Sequence, residues 1–67
     1  MEMIQVRSSA IRAVGYDQSM RRMRIAFEQG DSYDFCGVPP YVYDGLMSTS
    51  SKGAYYNDHI RKRYQCS

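Results

Sequence analysis

The sequence has no tryptophan, a single histidine (His59), two prolines and only two cysteines, Cys36 and Cys66. Each shortage closes a route. One histidine, without any CxxC or HxxxH spacing, does not make a zinc site of the usual kind. Two cysteines, one of them penultimate, fall short of the framework that staples small secreted domains. The pair is therefore expected to be reduced thiols in a cytosolic protein. Apolar runs are short as well, and none approaches the ~20 residues that span a bilayer. The opening Met1–Arg7 stretch lacks the long apolar segment of a signal peptide. A cytoplasmic location without membrane contact is the resulting expectation. Charge of one sign is scarce too. Nine Lys and Arg oppose seven Asp and Glu, a net of +2, far from the basic excess that long polyanions select.

What remains must fit one domain, residues 1–67. A chain of this size buries only about 60% of the surface its unfolded form exposes, and such domains often draw on disulfides, metals or partner subunits. With the first two set aside, self-association into a homo-oligomer is the expected source of added stability. The abundant feature is aromatic: seven Tyr and two Phe. So small a core cannot hide them all. Some are expected at an interface or in a ligand pocket, where a ring packs while its hydroxyl stays wet.

Alternation predicts the sheet. Ile11, Ala13 and Val14-Gly15-Tyr16-Asp17 read as a first strand. Arg22–Glu28 alternates, with Met23, Ile25 and Phe27 on one side and Arg22, Arg24, Ala26 and Glu28 on the other. Gln29-Gly30-Asp31 supplies a hairpin turn. Ser32–Cys36 then returns with Tyr33 and Phe35 on a shared face. At Val38-Pro39-Pro40 the period changes, since proline suits the first turn of a helix. Val42, Tyr43, Leu46 and Met47 form a helical stripe. After the break at Ser48–Gly53 a second helix is predicted, with Ser50 or Ser51 as its N-cap. Tyr56, Ile60 and Tyr64 make its packing face; Lys52, Asn57 and Arg61 lie on or beside an adjacent one. The fold class is α+β, a three-stranded antiparallel meander followed by two short helices packed on one face.

The joint pattern Ser8-Ser9-x-Ile11-x-x-Val14-Gly15-Tyr16-Asp17, Phe27, Gly30, Tyr33-x-Phe35, Val38-Pro39, Tyr43, Leu46, Ser51-x-Gly53, Tyr56-Asn57, Ile60 and Tyr64 resembles the KTSC domain. That small module occurs alone in bacterial and phage proteins and at the C-terminus of some lysyl-tRNA synthetases. The family's central Tyr-x-Tyr has Phe35 here in place of its second tyrosine. The resemblance implies RNA binding through the synthetase context. Through small phage-encoded members it implies sequestration of nucleotide signals in bacterial defence.

Several constellations carry chemistry. Ser50-Ser51-Lys52-Gly53, if it opens a helix, offers backbone N–H groups, hydroxyls and an ammonium to an anion; an ordinary capped helix start explains the same residues. Arg22 and Arg24, with Arg12 across the sheet, form either a solvated row or a phosphate-binding one. Tyr55 and Tyr56 diverge by ~100° on a helix and cannot both face inward, and Tyr55 is the one expected to be exposed or at an interface. A base stacked on such a ring gains on the order of 1–3 kcal/mol. Arg61-Lys62-Arg63 is a short basic cluster suited to the helix C-terminus; it reads as a nucleic-acid tail contact or as an ordinary solvated cluster. Catalysis finds no support: Cys36 and His59 share no local signature, and the aspartates fall at turn-like positions.

The sequence thus predicts a non-enzymatic domain without cofactor. Its expected ligand is a nucleotide of cyclic-dinucleotide type, sequestered rather than turned over, with Arg24, Tyr33, Ser50, Ser51, Lys52, Gly53, Tyr55, Asn57 and Arg61 as contacts. An RNA-binding module and a protein-interaction adaptor are the alternatives.

Overall fold

The computed structural model describes residues 1–66. Four strands, β1 (Met3–Gln5), β2 (Ile11–Asp17), β3 (Arg22–Phe27) and β4 (Ser32–Phe35), form one sheet in sequence order with every neighbour antiparallel. Two helices follow, α1 (Pro40–Ser48) and α2 (Lys52–Tyr55), and the second runs on into a π-helical turn, Tyr56–Ile60. The α+β class and the order of strands before helices are as expected. The sheet has four strands rather than three. Three residues are too few to show alternation, and β1 exists because β2 accepts it. Met3 pairs with Gly15, where a Cβ would come within 2.7 Å of the Met3 sulfur and 2.9 Å of Met1 Cγ. Only a residue without a side chain lets both methionines lie there.

The core sits between the sheet and the helices. Ile11, Val14, Met23, Ile25 and Phe35 from the strands meet Val38, Val42, Leu46 and Ile60. Simple alternation would put Ile11 on the face of Ala13, opposite Val14. A bulge at Arg12 shifts the register, so that Ile11 faces Phe27 while Ala13 faces Ala26, and Ile11 and Val14 both turn inward. Fully burying side chains of this kind contributes about 1.5–3 kcal/mol each. Pro40 occupies the start of α1, after Pro39 at the N-cap, where a missing N–H costs nothing. Tyr16 stacks on Tyr43 at 4.6 Å and donates its hydroxyl proton to the carbonyl of buried Val38 at 2.6 Å, which fastens β2 to the start of the helical layer.

Two expectations fail at the C-terminal end. The second helix does not reach Tyr64. It ends at Ile60, because Arg61 leaves helical geometry (ψ 128°) and Lys62 adopts a left-handed conformation (φ 66°). The basic cluster therefore lies in the turn beyond the helix. The returning chain pairs with β4: the Cys36 N–H donates to the Tyr64 carbonyl at 2.8 Å, and Phe35 bridges Gln65. That pairing brings Cys66 against Cys36, with Cα atoms 4.9 Å apart, and the two are joined in a disulfide. The thiols are not free, contrary to the sequence reading, and the bond removes the argument for a reducing compartment that rested on them. Self-association is no longer needed to explain how so small a domain holds together. Among the described residues no helix is long and apolar enough to cross a membrane.

Candidate ligand-binding groove

Beyond the reach of the helices, the inner face of the sheet stays partly uncovered. Phe27 is the last residue of β3, and Tyr33 lies opposite Ile25 on the same face. From the helical layer Tyr56 reaches this end, where its ring meets Phe27 edge-to-face at 5.0 Å and Phe35 at 5.9 Å. Phe27 also meets Tyr33 edge-to-face at 5.9 Å. Between these rings, the Ser9-Ala10 segment and the β3–β4 hairpin lies a cleft of about 630 Å³, into which Gln29, Asp31 and Arg61 also open. A second cleft of about 330 Å³ continues past the same Tyr33, Tyr56 and Arg61 toward Lys62, Gln65 and the disulfide. Sharing three residues, the two form one groove with Arg61 at its waist. Tyr33 keeps 54% of its surface exposed, an uncommon exposure for a ring on the core-facing side of a sheet. Burial raises the Tyr56 hydroxyl pKa above its ordinary value; the nearby Arg61 charge opposes that shift and Tyr33 reinforces it.

Of the nine residues predicted from sequence, the groove gathers Tyr33 and Arg61. The rest stand elsewhere. Arg24 is on the opposite face of the sheet, where it faces Asp34 in register and donates from Nε at 2.7 Å and Nη2 at 3.1 Å. Arg22 is the register partner of Asp17 across β2 and β3, so the supposed cationic row is interleaved with carboxylates. Ser50, Ser51, Lys52 and Gly53 do come together, with Arg7, Ser8 and Ser9, around a separate polar cleft of about 290 Å³. Within that group Lys52 is engaged by the fold itself. The Lys52 ammonium donates to the carbonyls of Met47 at 3.2 Å and Thr49 at 3.1 Å, capping the negative end of α1. Ser51 holds the N-cap position without a side-chain cap bond, ahead of an α2 only four residues long. Asn57 is exposed on the π-helical turn and lines none of these clefts.

The two adjacent tyrosines diverge as expected but exchange roles. Tyr55 is half-buried, with its ring 4.4 Å from that of His59. Its hydroxyl lies against Gly45 of α1, where any Cβ would collide with it. Tyr56, read as a packing residue, packs and lines the groove at once. Sequence reasoning also passed over Ser9, Phe27, Gln29 and Asp31 as lining residues. One signal was available: Phe27 and Tyr33 share a face by alternation and flank a hairpin, which places both at the end of the sheet.

A family model described as the KTSC domain matches residues 7–64. The chain belongs to the KTSC domain family. A crystal structure of a KTSC domain protein from Yersinia pestis superposes with a TM-score of 0.91 at 36% identity, covering 98% of this chain and 93% of that one. A protein of Tsukamurella paurometabola is 37% identical over 60 residues, 90% of each chain. A lysine–tRNA ligase of Nostoc punctiforme is 29% identical over 63 residues, which is 94% of this chain but 11% of the ligase. This KTSC domain therefore resembles both separate small proteins and a short portion of a large one. All nine of its aromatic residues fall within the matched span.

Proposed function

We propose that this KTSC domain binds a nucleotide-type ligand in the Tyr33–Tyr56–Arg61 groove and holds it without turning it over, as a sequestering protein would. The observation that carries this reading is the pairing of a half-exposed ring with an arginine at the waist of one continuous groove. A planar base gains from stacking on such a ring, and a guanidinium recognises phosphate through its fork of donors. The groove's dimensions suit a small ligand, since binding clefts commonly run to about 300–1,000 Å³. The absence of turnover is supported by the state of the groups able to start chemistry. Cys36 is locked in the disulfide, and His59 lies beside Tyr55 and lines neither part of the groove. A cyclic dinucleotide fits the same chemistry if a second copy of the chain brings a second groove to it.

Calorimetric titration of the purified domain with mononucleotides and cyclic dinucleotides tests this. The Tyr33→Ala and Arg61→Ala variants are each expected to weaken binding tenfold or more. Unchanged affinity in both would refute the reading. RNA binding is the second reading, favoured by the match to part of a lysine–tRNA ligase. It is distinguished by salt, since affinity for an RNA strand falls steeply as counterions are restored, whereas a single phosphate contact is much less sensitive.

A further inference from the structure

The groove is chemically different at its two ends, and the difference bears on which nucleotide it would take. At the hairpin end stands Asp31, exposed and in no ion pair among the described residues. Its one side-chain partner is the Tyr33 hydroxyl, at a loose 3.5 Å. The two carboxylates within the strands are engaged: Asp34 by Arg24, and Asp17 by the Ser19 hydroxyl at 2.8 Å and two backbone N–H groups. Asp31 is also held in place. Its carbonyl accepts from the Phe27 N–H at 2.9 Å, and the Gly30 N–H closes the hairpin onto the Phe27 carbonyl at 3.0 Å. Arg61 stands at the waist and Lys62 at the far end. The polarity thus runs from an anionic acceptor, across aromatic rings, to two cations.

An ionised carboxylate only accepts hydrogen bonds, through two parallel oxygens. Its complement is a planar group with two adjacent N–H donors. Among the nucleobases guanine presents that pair on one edge, whereas adenine and cytosine each offer a lone amino group beside an acceptor. We infer that the groove takes a guanine nucleotide, with the base edge on Asp31, the ring against Tyr33, and the phosphate toward Arg61 and Lys62. This rests on the nucleotide reading above and names the base within it.

The test is calorimetric titration of the intact, disulfide-bonded domain with GMP, IMP and AMP, alongside Asp31→Asn and Arg61→Ala. Inosine keeps the ring N–H and lacks the amino group. The order expected is GMP tightest, IMP intermediate and AMP weakest, with the full span roughly ten- to a hundredfold, the range for bonds to a charged acceptor. In Asp31→Asn the three affinities should converge, while Arg61→Ala should weaken all three and keep their order. Equal binding of GMP and AMP, or a preference that survives Asp31→Asn, would overturn the guanine assignment and leave nucleotide binding standing. Absence of binding by all three nucleotides would overturn both.

Discussion

Breaking the Cys36–Cys66 bond should cost this domain a large part of its stability. The bond closes a loop of 30 residues in sequence that contains α1, α2 and the π-helical turn, the entire helical layer. In the chain-entropy description, a cross-link over a loop of this length removes about 12 cal/mol/K from the unfolded ensemble, or about 3.6 kcal/mol at 25 °C. Natural domains carry about 0.05–0.15 kcal/mol per residue, so the bond accounts for a third or more of what a chain this short can have. The assay is urea denaturation of the oxidised domain against the same protein under excess reductant, with intact mass verifying that two hydrogens have been gained. The reduced form should lose about 3–4 kcal/mol and melt on the order of 15–25 °C lower. The Cys36→Ser/Cys66→Ser variant should behave like the reduced protein in both conditions. If the oxidised and reduced transitions coincide while the mass shows the bond broken, the loop-closure argument is wrong. The helical layer would then be held by its core contacts alone.

Three further outcomes follow from the packing. Gly45→Ala drives a methyl into the Tyr55 hydroxyl; the displaced ring should cost about 1–3 kcal/mol in a urea titration, and paired Tyr55→Phe should recover part of it. Tyr16→Phe deletes the bond to the Val38 carbonyl, and a loss of about 0.5–1.5 kcal/mol is expected; no change in the midpoint would mean that this buried carbonyl finds another partner. Arg24 holds the Asp34 carboxyl pKa below its ordinary value, so the pair's contribution is complete above the usual carboxylate range and disappears as pH falls through the lowered folded value. Both side chains are more than a third exposed, so solvent screens the pair and its contribution is small. Asp34→Asn should flatten that acid limb slightly at low salt and leave stability at neutral pH almost unchanged.

Local patterns carried much of the architecture. The alternation of Met23, Ile25 and Phe27, the hairpin at Gly30, the helix opening at Pro40 and the stripe of Val42 and Leu46 all lie within a few residues of one another. Backbone geometry alone turns such patterns into strands and helices. Tyr33 and Arg61 were legible as candidates, one as a ring on the face of Phe27 and the other as part of a basic cluster, and both line the groove. What could not be read depends on residues distant in sequence. Cys66 meets Cys36 because Lys62 reverses the chain and Tyr64 pairs beside β4. Lys52 looks available until Met47 and Thr49 turn their carbonyls toward it, and Arg24 until Asp34 arrives across the sheet. Tyr55 looks exposed until Gly45 leaves a gap that admits it. Residue types and spacing determine which groups are able to grip a partner; the tertiary structure alone decides which of them the protein has already used on itself, because a donor or ring can satisfy only what comes within its reach.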